Sequence, residues 1–185
     1  AATTRSLRAL AQTGATLVGI DPSMTLAFRS EYAKAVPQAK DLRVLLPQEW
    51  LAQHLDRIAP ASAPSGRFKL LLHCTERTNA PAAQGQWAAI FARLGVKLQQ
   101  PPLGCCGMAG TFGHEVRNRA LSDTIYGLSW SQEIEAATPG EIVMVTGYSC
   151  RSQVKLLDDA ELPHPLQILL RLLSAEMKTV RGKVA

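Results

Sequence analysis

The sequence predicts an α/β fold with a mainly parallel sheet flanked by helices. Short apolar runs recur at Leu17-Val18-Gly19-Ile20, Phe68-Lys69-Leu70-Leu71-Leu72 and Glu141 to Val145, each the length of a buried strand. Segments of helical periodicity separate them, and alternation of this kind is the signature of parallel strands joined by helical crossovers. Helix boundaries are marked as well, by Pro81 and by His164-Pro165.

Taken in order, the buried strand at 17–20 leads into a helix from about Ser23 to Val36. The strand at 68–72 is followed by a helix around Trp87 to Leu94, and Val96-Lys97-Leu98 offers a further short strand. A long amphipathic helix is expected from His114 to Ala137, then the strand at 141–145 and a short helix from Cys150. A last helix opens at His164-Pro165 and is carried by Leu166, Leu169, Leu170 and Leu173. Trp50, Trp87 and Trp130 fall on helical patterns as core or interdomain anchors.

Composition narrows the function classes. A chain of 185 residues, 46% hydrophobic and 19% charged, buries roughly 70% of its unfolded surface and folds without a disulfide or metal staple, so any metal here is functional. No apolar run approaches the ~20 residues of a membrane span and nothing reads as a signal peptide. A cytoplasmic setting follows, with a peripheral place at the inner membrane as its variant, and thiols there stay reduced. The net charge of +5 does not point to nucleic acid, because the basic residues are scattered. Their densest cluster, Lys178, Arg181 and Lys183, reads as a fraying tail.

The stretch 59–66, Ala-Pro-Ala-Ser-Ala-Pro-Ser-Gly, is the one composition break. It divides the chain into residues 1–58, a linker and residues 67–185. The two pieces look related. Thr13 to Met24 aligns with Pro139 to Cys150 without a gap, matching a turn glycine, an apolar strand and a Ser-Met or Ser-Cys ending. Nothing stands ahead of the first copy to match what precedes the second, so the first repeat is read as truncated, in a chain cut from a longer protein.

All four cysteines fall at three strand exits: Cys74, the adjacent pair Cys105-Cys106, and Cys150. In an open parallel sheet these exits share one edge, where side chains dozens of residues apart converge. A helix N-terminus at Cys150 with Arg151 beside it favours the thiolate that metals require. Adjacent cysteines suit a cluster whose separate irons need separate thiolates better than a single tetrahedral zinc. Gly107 lets the backbone turn around such a group, and Gly104, Gly107, Gly110 and Gly113 bring N–H groups near sulfur. Four unrelated buried cysteines beside a Gly-rich turn is the plain alternative.

The pattern of Cys74, Cys105-Cys106-Gly107 and Cys150 resembles the CCG cysteine-rich domain of heterodisulfide reductase, of the glycolate oxidase iron–sulfur subunit, and of the C-terminal part of large FAD-linked D-2-hydroxyacid dehydrogenases. The run Gly104 to Glu115 and the run Gly147 to Arg151 are most similar to the last group, bacterial iron–sulfur enzymes of the D-lactate and D-2-hydroxyglutarate dehydrogenase type. The resemblance implies two pseudo-repeated CCG-type units and an electron-transfer module. It also implies flavin and ferredoxin-like domains elsewhere in the parent, where FAD and the substrate chemistry reside. On it, Cys74, Cys105, Cys106 and Cys150 ligate an iron–sulfur cluster, Gly107 shapes the loop, and Ser149 hydrogen-bonds around the ligands. No residue of this chain is catalytic in that reading.

The chain also departs from the family pattern. The usual final Cys-x-x-Cys is reduced here to Cys150 followed by Arg151, Ser152 and Gln153, and the first repeat has Met24 in place of Cys150. At most one four-thiolate site can form, holding a cluster, zinc or nothing. The rivals are a structural zinc or metal-free docking module, and a thiol–disulfide unit pairing Cys105 or Cys106 with Cys74 or Cys150. His73 is a spare ligand or a strand-end histidine bonded to backbone, and His164 caps a helix or turns a loop. His114-Glu115 lacks the second histidine of a metalloprotease motif, since Asn118 and Arg119 stand there. Asp158, Asp159 and Glu161 read as a solvated loop.

Overall fold

A computed structural model of the chain describes residues 2–60, 64 and 66–182, and the side chains among these except at 38 and 175–182. Half of the 59–66 break, at 61–63 and 65, therefore lies outside the described residues, as do Lys183 and the side chains of Lys178 and Arg181.

Helix α1 (Ala2–Gln12) leads through a turn at Gly14 into strand β1 (Leu17–Val18), then α2 (Pro22–Arg29) and α3 (Glu31–Ala35). The single helix expected over Ser23 to Val36 is broken at Ser30, whose hydroxyl donates to Leu26 O at 3.0 Å and bends the chain there. Val36 is extended, as the residue before Pro37 must be. Strand β2 (Val44–Leu45), which no periodicity announced, pairs in parallel with β1, and α4 (Pro47–Ala52) follows. The run at 17–20 is shorter and less covered than a buried strand: β1 spans only Leu17–Val18, and Val18 and Ile20 are exposed.

Strand β3 (Phe68–Leu71) opens the second part, followed by α5 (Cys74–Asn79), α6 (Ala83–Arg93) and β4 (Leu98–Gln99). Then come α7 (Arg119–Gly127), α8 (Trp130–Glu135), β5 (Ile142–Val145), α9 (Tyr148–Asp158) and α10 (Pro165–Gly182). The strands form a parallel sheet in the order β4-β3-β5, with Phe68 opposite both Leu98 and Ile142. Alternation along β3 divides the core into two layers. Phe68, Leu70 and Met144 meet Trp87, Ile90, Phe91 and Ile168 on one face. On the other, Leu71, Val143 and Val145 meet Met108, Tyr126, Trp130 and Val154. A small cluster of Leu26, Leu46, Ala80 and Ala83 joins the two parts.

The long helix expected over His114 to Ala137 is replaced by two 3₁₀ turns at 112–114 and 116–118 and by the separate helices α7 and α8. Its break at Ser129 has a tertiary cause. The Ser129 hydroxyl accepts from Gly104 N at 3.2 Å, and the buried Trp130 indole donates to Gly104 O at 3.1 Å, so the interruption holds the cysteine loop. Asp158 is not simply solvated, because it accepts the hydroxyl of the buried Tyr126. His164 caps α10: its Nδ1 accepts from Leu166 N at 3.2 Å while Gln167 Oε1 accepts from His164 N at 2.7 Å. Burial, aided by the Arg151 charge, pushes His164 down to about 4, which keeps that Nδ1 free to accept.

Arg29 and Glu49 tie α2 to α4. Arg29 donates to both Glu49 carboxylate oxygens and to Val44 O, and Glu49 also accepts from Leu46 N at 2.8 Å. Although burial works the other way, the Arg29 and Leu46 bonds hold the Glu49 carboxyl below its usual range. Its contribution is therefore complete above the unfolded carboxyl pKa and disappears as pH falls through the lower folded value. Urea midpoints of Glu49→Gln and the parent protein, measured from pH 7 to pH 3, are expected to converge at the acid end.

Candidate functional site

Parallel strands leave the sheet at one edge, and every cysteine lies just beyond a strand end there. Cys74 is the first residue of α5 after β3, Cys105 and Cys106 lie in the loop after β4, and Cys150 is the third residue of α9 after β5. Cys106 and Cys150 are buried in the layer with Met108 and Trp130, whereas Cys74 and Cys105 are partly exposed. The neighbours Cys105 and Cys106 thus face different surroundings, as adjacent side chains in an extended loop do.

The four thiols gather in one group. Cys105 is close enough to interact with Cys74 and with Cys106, and Cys150 interacts with Cys106 and with Cys74. Gly107 N also donates to Cys105 Sγ, at 3.4 Å. Interaction with the Cys106 and Cys74 thiols outweighs burial and lowers the Cys105 thiol below its usual range. Its neighbours move the other way: interaction with Cys105 and then burial push the Cys74 thiol up, and interaction with Cys105 and Cys150 pushes up Cys106. Among the described residues, no three His, Cys, Asp or Glu side chains are arranged to hold a single metal ion. In number and kind the donors, four free thiols, fit a thiolate-bound group.

The loop is held from behind. Gly107 sits at φ +88°, its carbonyl accepts from Ser122 Oγ at 3.0 Å, and Ser122 accepts from Gln153 Nε2 at 3.0 Å. Ser122 and Gln153 are fully buried. Neither bracing role is marked in the sequence, where Gln153 stands out only as the residue in place of a second cysteine and a serine on a helix carries no signal of the loop it will support.

His73 ends the β3 run and caps α5. Its Nδ1 accepts from Thr75 N at 3.2 Å, leaving Nε2 to face Ser23 Oγ at 3.2 Å and Ser149 Oγ at 3.4 Å. Backbone bonding, the commoner role for a strand-end histidine, is the one it takes, and burial lowers its basicity. Ser149 therefore addresses His73 rather than a sulfur. Behind His73, Thr146 Oγ1 accepts from His73 N at 3.0 Å and donates to the fully buried Glu76 at 2.6 Å. Glu76 also accepts from Trp87 Nε1 at 3.0 Å and Gln48 Nε2 at 2.9 Å. A cleft of about 380 Å³, lined by Asp21, Ser23, Met24, Gly110, His114 and Tyr148 among others, opens over these serines.

No family model matches the chain, and no solved structure matches it. Among curated proteins, a relative from Pseudomonas putida is 51% identical over 165 residues, which is 89% of this chain and 16% of that protein. The chain is similar to D-2-hydroxyglutarate dehydrogenases. Relatives of that name from Escherichia coli and Haemophilus influenzae are 44% and 41% identical over 168 and 177 residues, each covering 90% of this chain. The chain spans only 16% to 17% of the length of these three proteins, so their name describes polypeptides about six times longer.

Proposed function

We propose that this chain is the iron–sulfur electron-transfer module, of CCG type and C-terminal, of a larger FAD-linked oxidoreductase acting on a D-2-hydroxyacid, with D-2-hydroxyglutarate the first substrate to test. The observation that carries the reading is the group of four cysteines that follow three parallel strands. Cys74, Cys105, Cys106 and Cys150 would hold the cluster, which when bound passes single electrons between flavin and an acceptor. The chain's own work is to gather sulfur at one edge, to supply the Gly107 N–H to Cys105, and to keep Cys106 and Cys150 from water. Flavin and ferredoxin-like domains of the same protein are its partners in this reading, in the cytoplasm. Among the described residues no helix is long and apolar enough to cross a membrane.

Two features support a pseudo-repeat behind this arrangement. The aligned turn glycines Gly14 and Gly140 have φ of +84° and +83°. In both segments a strand then gives way to a helix that begins just after the aligned positions Asp21 and Gly147. With Met24 standing opposite Cys150, the first unit serves as scaffold and the second carries the sulfur.

Anaerobic purification followed by iron, sulfide and zinc analysis tests the assignment. About four irons and four sulfides per chain are expected, with Cys106→Ser losing most of the iron while remaining folded. A colourless protein with one zinc would replace the cluster by a structural metal. The closeness of Cys105 to Cys74 and of Cys106 to Cys150 favours one second reading, a thiol–disulfide unit, and a thiol count that changes by two on reduction would establish that instead.

A further inference from the structure

In the gapless alignment of the two strand–helix segments, Asp21 of the first stands where the second has Gly147. That exchange has a steric cause on one side. A Cβ on Gly147 would lie 2.3 Å from His73 Cδ2 and 3.1 Å from Cys150 Sγ, so this position must stay bare for His73 and Cys150 to close in. Helix α9 consequently starts without a side-chain cap of its own, leaving its first N–H groups in need of an acceptor. The acceptor comes from the other segment. Asp21 Oδ1 accepts from Met24 N at 3.1 Å, capping α2, while its Oδ2 accepts from Tyr148 N at 3.0 Å, in the first turn of α9. Beside this carboxylate, Ser23 and Ser149 approach the same His73 nitrogen from the two segments.

We propose that Asp21 is a positioning residue for Cys150, capping in trans the helix that carries it because Gly147 cannot. One carboxylate serves two helices, each following a strand of a different sheet, and so fixes the register of α9 against His73. The N-terminal part, which lacks cysteine, thereby sets the geometry of a sulfur in the C-terminal part. The proposal rests on the reading that Cys150 belongs to the assembled thiol site.

Asp21→Ser separates the two roles. Serine caps its own helix as well as aspartate does, but it is too short to reach Tyr148, whereas Asp21→Ala removes both bonds. Iodoacetamide labelling of the folded, metal-free chain, resolved for each cysteine by mass spectrometry, reads local opening at a buried thiol. Both variants are expected to label Cys150 about tenfold faster than the parent protein, with Cys106 unchanged and circular dichroism retained. Labelling of Cys150 in Asp21→Ser at the parental rate would overturn the proposal, since Asp21 would then act only on α2. A parallel rise at Cys150 and Cys106 would overturn it too, by showing general loosening. If Cys150 of the parent protein labels as fast as Cys105, the assembled thiol site itself fails and the proposal falls with it.

Discussion

Gly107→Ala is expected to be among the most damaging single substitutions in this chain, costing about 3–5 kcal/mol or preventing folding outright. Two effects coincide at this residue. Its φ of +88° is in the left-handed region that side chains disfavour, and an added Cβ would lie 2.2 Å from Ser122 O and 3.0 Å from Ser122 C. Backbone atoms of α7 cannot swing away as the end of a side chain can, so the loop itself must move. That displacement would withdraw the Gly107 N–H from Cys105 Sγ and carry Cys106 out of its buried place. Gly110→Ala is the internal comparison, because Gly110 has φ +69° but open space where its Cβ would go. It should lose only about 1 kcal/mol, the conformational part alone. Urea midpoints of the two variants check both values, and near-equal losses would show that the contact with Ser122 is easily relieved.

Glu76→Ala should cost a further large amount, about 3–5 kcal/mol, because three buried donors lose their acceptor together. Thr146, Trp87 and Gln48 all point at this carboxylate, and none has water in reach at such burial. Glu76→Gln keeps the shape and most of the acceptor capacity, and pH tells it apart from the parent. Burial, opposed by the Thr146 and Trp87 bonds, raises the Glu76 pKa above its ordinary value. A raised carboxyl favours folding fully below the unfolded pKa and loses that contribution as pH rises through the folded value. The parent protein should therefore lose ground to Glu76→Gln as pH rises above the ordinary carboxyl range, the reverse of the trend expected for Glu49. A pH-independent difference between the two would show that Glu76 titrates normally. The network runs from the buried face of α6 through Thr146 to the His73 N–H, so its loss should also loosen the strand exits that carry Cys74 and Cys150.

Much of the frame was legible in the residues. The strands at 68–71 and 142–145 fall within the expected runs, since a buried parallel strand needs an uninterrupted apolar segment and leaves that mark in any sequence. The parallel order then follows from helical crossovers, and the common edge for Cys74, Cys105-Cys106 and Cys150 follows from the parallel order. Local periodicity failed where a distant bond, a side-chain bond within the helix, or mere brevity decides. Ser129 interrupts a good amphipathic helix to hold Gly104, Ser30 kinks another, and β2 is too short to show a period.

By itself, then, the sequence determined the α/β class, the strand exits as the place of the sulfurs, and the glycine at the turn of their loop. Only tertiary structure decided that the Gly107 N–H reaches Cys105, that Ser122 and Gln153 brace the loop, and that Asp21 reaches across to Tyr148. The reason is physical. Apolar period and turn chemistry act over a few neighbouring residues and are written locally, whereas a hydrogen bond between residues 21 and 148 exists only once two sheets have packed.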